Sequence, residues 1–304
     1  MEDGPPGEKG ELKMENGFYT ALGTPFDDGG NFLAASFARH VEDQIISGVS
    51  GLLVMGTMGI EPYVKESEYL KIAKTGVEAA NGRCPVFVGV MDNSIERVKD
   101  RIKALEGLKI DGVVATVPFY YPVNQEEIKE FFRGIEAFSP FPVYIYDLPA
   151  VTKTKISVKT IEYLMQFKKI KGIKTGDIVT ARLLSRSTAR EEDFGVFFSG
   201  LDIFDVAYKY GIMKNLDGMF ACTAPLASRM YRSIEKEEYD SAGSCLDEIL
   251  MLRDTLAGVG IFSGFTYAMN LLGYEGIFSP DYSVKLNGEQ ADRVRECMKK
   301  CELI

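Results

Sequence analysis

Lys174 closes the apolar run of KGIKTGD, residues 171–177. A lysine amine can condense with a ketone to form an imine, an electron sink for making or breaking a C–C bond. The amine must be neutral to attack. A lysine with an ordinary pKa of about 10.4 is almost wholly protonated near neutrality, so this chemistry calls for an apolar wall. Ile173 and Phe220 are candidates for that wall. A phenol can move the proton, and Tyr146 ends the run YIYD. Thr57, in GTMG, can link that phenol to a second one, and PFYYP offers Tyr120 and Tyr121. The backbone N–H groups of Thr57 and Met58 can hold a carboxylate. Each piece also has an ordinary reading. Lysines after strands are mostly solvated, strand tyrosines mostly pack, and Gly56 and Gly59 can simply permit a turn. Lys171 is a rival amine three residues away.

Composition narrows the alternatives. The chain has 304 residues, 46% of them apolar, which suits a barrel with additions. The net charge of −9 argues against nucleic acid as a general partner. No apolar run has bilayer-spanning length, so no membrane role is expected. Five scattered cysteines, including Cys297 and Cys301 on one helix-like stretch, suit a reduced, cytoplasmic setting better than a metal site. The one histidine, His40, lies in a helical pattern beside Phe37 and Val41 and reads as a packed or solvated ring. A multi-histidine zinc site and a Ser–His relay are thereby disfavoured, leaving lysine, tyrosine, carboxylate or water to carry protons.

Positioning those groups requires a scaffold. Short apolar runs alternate with amphipathic stretches: FYTALGTPF, GLLVMGT, CPVFVGV, DGVVATVPF, FPVYIYDLP, IKGIK, FGVFFSG and LDGMFAC read as strands. The intervening segments have helical periodicity. This alternation predicts an α/β fold, a (β/α)8 barrel. A doubly wound sheet is the alternative, but ALGTPFDDGG lacks a G-x-G-x-x-G loop. The expected organisation is a flexible tail over 1–16, the barrel over 17–224, and C-terminal helices over 225–304 packed on it. Barrel chemistry sits at the C-terminal ends of strands. That rule puts Thr57, Tyr120, Tyr146, Lys174, the FSGLD residues Gly200 and Asp202, and the MFACT segment at one mouth.

The motifs GTMG (56–59), YDLPAVT (146–152) and GIK (172–174), with Tyr146 and Lys174 28 residues apart, resemble the dihydrodipicolinate synthase / N-acetylneuraminate lyase family. The resemblance spans nearly the whole chain. It implies a (β/α)8 class I aldolase in which Lys174 forms the imine with pyruvate or another 2-keto acid. It also implies that Tyr146 shuttles the proton and that Thr57 joins Tyr146 to Tyr120. No metal or external cofactor is expected. The expected substrate-binding set is Thr57, Met58, Thr152, Gly200, Asp202 and Phe220. In synthase-like relatives the second tyrosine comes from a neighbouring subunit, so a homo-oligomer, a dimer of dimers, is expected. Departures from the family pattern bear on the aldehyde. Val151 stands where a synthase has arginine and cannot hold a carboxylate in bidentate fashion. Phe119 stands before Tyr120, and Ile203 stands where a sialic acid lyase has an acid. Ile60 is an extra residue before Glu61, Asp147 replaces asparagine, and KTGD is short. A 2-keto-3-deoxy sugar acid is the leading substrate class. 4-Hydroxy-tetrahydrodipicolinate synthesis, sialic acid cleavage and a non-catalytic keto-acid sensor are the alternatives.

Overall fold

A computed structural model describes residues 14–190 and 193–304 of the chain. Residues 1–13 of the expected tail lie outside the described residues. Eight strands close into one parallel barrel in sequence order. They are β1 (Gly17–Ala21), β2 (Gly51–Val54), β3 (Val86–Gly89), β4 (Gly112–Thr116), β5 (Val143–Asp147), β6 (Ile170–Thr175), β7 (Gly195–Phe198) and β8 (Lys214–Asp217). The surrounding helices are α1 (Ala34–Ile46), α2 (Glu66–Ala80), α3 (Ile95–Ala104), α4 (Gln125–Phe138), the short α5 (Pro149–Thr152), α6 (Val158–Leu164), α7 (Ile178–Ser185) and α8 (Phe204–Lys209). Four more follow: α9 (Phe220–Glu235), α10 (Tyr239–Val259), α11 (Ile261–Leu271) and α12 (Gly288–Lys300). The expected (β/α)8 barrel with a helical extension is the observed fold.

Local sequence explains the helices. In α4, Asn124 accepts from the amides of Glu126 and Glu127, and Glu127 reaches back to the Asn124 amide. This reciprocal cap is worth about 1 kcal/mol. Ile128, Phe131, Phe132 and Ile135 then fall on one buried face at helical spacing.

Strand alternation divides the core in two. Outward residues such as Ile145, Ile173 and Phe198 join the large layer beneath the helices. Inward residues fill the barrel in levels drawn from alternate strands. The odd strands supply Tyr19, Phe87, Tyr144 and Phe197, a plug of rings with centroids 4.8 Å to 6.5 Å apart. Gly112 makes room for it, since a Cβ there would lie 2.5 Å from the Tyr144 ring. The even strands supply the next level: Leu53, Val114, Lys174 and Leu216. Register pairs each of them with one ring of the plug: Leu53 with Phe87, Val114 with Tyr144, Lys174 with Phe197 and Leu216 with Tyr19. Lysine therefore takes the fourth place in an otherwise aliphatic level.

The eighth strand differs from the sequence reading. It is KNLD, not LDGMFAC. Asp217 Oδ1 accepts from the Met219 amide at 2.7 Å, turning the chain out of the sheet, and α9 starts at Phe220. A short apolar run does not by itself distinguish a buried helix from a strand. The boundary placed between 224 and 225 falls inside α9, beside Pro225 and the non-helical Thr223.

Candidate active site

Alternation aims Lys174 inward and Ile173 outward. Lys174 is 6% exposed, and its Nζ donates to Tyr146 Oη at 3.0 Å. The same Nζ lies 4.2 Å from the Tyr146 ring centroid. Both residues come from adjacent strands at one register position, Tyr146 against Lys174. Thr57 Oγ1 donates to the same phenol at 3.3 Å. Amine, phenol and threonine hydroxyl thus form one connected chain at the barrel mouth. The apolar wall consists of Leu53, Phe87, Val114, Tyr144, Phe197 and Leu216. Ile173 and Phe220 belong instead to the outer core, where the Phe220 ring packs on Phe18, Phe204 and Tyr231.

Tight backbone geometry holds Thr57. Met55 and Ile60, on either side of GTMG, have φ of 54° and 46°. Left-handed backbone at non-glycine residues costs on the order of 1–3 kcal/mol each and persists only where the surroundings enforce it. Gly59 cannot be replaced without movement, because its Cβ would sit 2.8 Å from Met55 Cα. The extra residue noted in the sequence is Ile60, and this left-handed turn absorbs it. Glu61, fully buried, then pairs with Arg101 from α3. Arg101 also donates to Met91 O at 2.7 Å and pairs with Asp92 at 3.2 Å. Burial pulls its guanidinium down to about 10. Sequence reading missed this anchor, because the charge-rich IERVKDRIKALEG looks like a solvated helix.

Other expected residues are placed differently. Tyr120 is 75% exposed, and its ring meets Tyr121 edge-on at 4.8 Å. Among the described residues its hydroxyl has no hydrogen-bond partner within the chain. The loop itself is held by Asn93 Oδ1, which accepts from the amides of Phe119 and Tyr120. Met58 lies against Gly218, where a Cβ would meet its Cγ. Thr152 is buried, and its hydroxyl donates to the carbonyls of Leu148 and Thr154. Gly200 precedes the 3-10 turn Leu201–Ile203, and Asp202 pairs with Arg253 of α10 at 2.8 Å. Lys171, the rival amine, pairs with Asp193. Asp217, half-buried at the end of β8, is a further titratable group near the mouth. Burial raises its carboxyl, while the Met219 amide and the Lys174 charge oppose that rise. A cavity of about 650 Å³ lies elsewhere, walled by Tyr63, Lys65, Tyr267, Asn270 and Lys285, and includes none of Lys174, Tyr146 and Thr57.

Comparison with known proteins agrees with this fold. Residues 14–285 match the model of the dihydrodipicolinate synthetase family. The 4-hydroxy-tetrahydrodipicolinate synthase of Bradyrhizobium diazoefficiens is 30% identical over 258 residues, covering 84% of this chain and 86% of that one. The enzyme of the same name from Ligilactobacillus salivarius is 30% identical over 281 residues, covering 89% and 94%. Dihydrodipicolinate synthase from Thermotoga maritima superposes with a TM-score of 0.87 at 24% identity, over 96% of this chain and 100% of that chain. YagE from E. coli, solved in complex with pyruvate, superposes with a TM-score of 0.86 at 16% identity, over 95% and 99%. The chain belongs to the dihydrodipicolinate synthetase family and is an enzyme of the class I aldolase/lyase type.

Proposed function

We propose that this enzyme makes or breaks a C–C bond between pyruvate and an aldehyde through an imine at Lys174, with a 2-keto-3-deoxy sugar acid as the preferred substrate class. One observation carries the reading: a buried amine, set in an aliphatic level of the barrel, lies 3.0 Å from a phenol that also accepts from Thr57. In the cleavage direction Lys174 Nζ attacks the keto carbon, and Tyr146 gives its proton to the departing hydroxyl, so that water leaves as the protonated imine forms and Tyr146 is left as phenolate. The phenolate then takes the proton of the hydroxyl next to the scissile bond. The bond's electrons pass into the imine, releasing the aldehyde and leaving an enamine. Tyr146 returns a proton to the enamine carbon, and water hydrolyses the imine to free pyruvate and the amine. Thr57 holds the phenol in place, and the amides of Thr57 and Met58 bind the keto acid's carboxylate. Borohydride reduction in the presence of pyruvate should add mass to the peptide containing Lys174. An unmodified peptide refutes the imine.

The substrate preference is supported by Val151, 52% exposed at the rim in the short α5, which offers no cation to a second carboxylate. The names of the relatives favour a second reading, condensation of pyruvate with aspartate semialdehyde. Pyruvate release from a panel of 2-keto-3-deoxy sugar acids, set against consumption of that aldehyde, separates the two.

A homo-oligomer, built as a dimer of dimers, is part of the proposal. Tyr120 and Tyr121 form one exposed aromatic face, and Val179 and Leu183 on α7, Val206 on α8 and Tyr210 just after it are further exposed apolar side chains. A monomeric dihydrodipicolinate synthase variant is among the structural neighbours, and sedimentation distinguishes a tetramer from that state. If Tyr120 completes a neighbour's relay, mixing inactive Lys174→Ala subunits with impaired Tyr120→Phe subunits restores activity in the hybrid. No such complementation would place Tyr120 outside the relay. A reducing compartment suits the five free cysteines. Among the described residues no helix is long and apolar enough to cross a membrane.

A further inference from the structure

Two of the sequence's departures from the family pattern, Asp147 for asparagine and the short KTGD, meet at one place behind the candidate catalytic pair. Tyr146 and Lys174 face the barrel interior, so their neighbours Asp147 and Thr175 face outward, paired in register and both buried. Thr175 Oγ1 donates to Asp147 Oδ2 at 3.0 Å, a direct link between β5 and β6. Asp147 Oδ1 accepts from the Ile156 amide at 3.2 Å. Asp147 Oδ2 also pairs closely with Lys155, whose Nζ lies 3.2 Å from Asp177 Oδ2. Asp177 in turn donates its amide to Thr175 Oγ1 at 3.2 Å and caps α7 through the amides of Val179 and Thr180. Lys155 thus joins the carboxylate behind Tyr146 to the one that starts the helix after Lys174.

We propose that Lys155 is a positioning residue for the Lys174–Tyr146 pair, holding β5 and β6 together from behind and neutralising the buried Asp147. A buried carboxylate needs a partner of opposite charge, and Lys155 supplies it. Asp177 closes KTGD within reach of the same amine, so Lys155 also fixes the segment leaving Lys174. Without it, Asp147 is an uncompensated negative charge one residue from the phenol, and it favours the ammonium form of Lys174. The other titratable groups facing the pair are Tyr144 on β5 and Asp217 at the end of β8. Those facing Asp147 are Lys155 and Asp177.

This inference deepens the imine reading and rests on it, so the experiment separates the two. The first measurement needs no keto acid: the pH midpoint for acetylation of Lys174 by acetic anhydride, followed by peptide mass spectrometry on the full chain. Lys155→Met should raise that midpoint by about half to one pH unit, and Asp147→Asn, which leaves the Lys155 charge, should lower it. Lys155→Arg and the neutral pair Asp147→Asn/Lys155→Gln should return it to the wild-type value. The second measurement is the initial rate of borohydride trapping with pyruvate, expected to fall about tenfold in Lys155→Met and to recover in Lys155→Arg. A midpoint that stays put in both single variants overturns the proposal, as does a neutral pair no better than Lys155→Met. Should Lys155→Met fail to fold, the opposite-signed shift in Asp147→Asn still decides. Failure of the wild type to trap pyruvate counts against the imine alone.

Discussion

Lys174 and His40 are both buried bases, and their surroundings make them opposites. Lys174 points into the barrel at the C-terminal end of β6, where a phenol accepts from it. His40, on α1, lies in the shell between the barrel and the C-terminal helices with its ring edge-on to Tyr274 at 5.0 Å. Neither of its nitrogens has a hydrogen-bond partner among the described residues. Desolvation pulls its imidazole down to about 3. Burial alone therefore does not make a base chemical. Direction, access and a proton partner do, and a barrel supplies all three only to inward residues at strand ends.

That contrast can be tested from its strongest element downward. Lys174→Met should abolish pyruvate trapping and cut turnover by on the order of 10⁴-fold or more. Its thermal stability should hold or rise, because methionine completes an aliphatic level. Tyr146→Phe should lower turnover about 10²–10⁴-fold, with the adduct at Lys174 still forming, more slowly. His40 should act on stability alone. Its folded-state value is below the ordinary 6.5, so its contribution is fully present above that pH and is lost as pH falls toward about 3. Urea titrations should show about 2 kcal/mol lost between roughly pH 7 and 5 from this group, a slope absent in His40→Phe. An unchanged slope would mean that the ring is protonated in the folded state. Tyr120→Phe should have the smallest effect, about tenfold on turnover, deepening on dilution below the assembly concentration. A loss of activity in His40→Phe at neutral pH, with stability intact, would erase the distinction between the two bases.

Strand and helix alternation was plain in the sequence because both periods repeat throughout the barrel. Where it misled, at LDGMFAC, the cause was local. Apolar residues buried on all sides have no period, and the Asp217 cap that ends β8 is invisible in a hydropathy pattern. The lysine, the two tyrosines and GTMG could be singled out from residue type and strand-end position. Arg101 and Lys155 could not, because each sits in a stretch rich in charge. From the sequence Asp202 could bind a hydroxyl or cap a helix, and α10, some fifty residues on, brings Arg253 to it at 2.8 Å. Phe220 looked like a wall for the amine. Helix α9 carries it outside the barrel instead, and the wall is built from strands β2, β3, β4, β5, β7 and β8.

The sequence by itself determined the eight-fold alternation and the chemical groups available at the strand ends, because hydrophobic pattern and strand-end position are local properties. Tertiary structure decided which groups meet. Register set Tyr146 beside Lys174, left-handed turns at Met55 and Ile60 brought Thr57 over the phenol, and salt bridges engaged Asp202, Glu61 and Asp147. All but the Asp147–Lys155 pair, eight residues apart, join residues far apart in the chain, and a local pattern carries no information about where a distant strand or helix will lie.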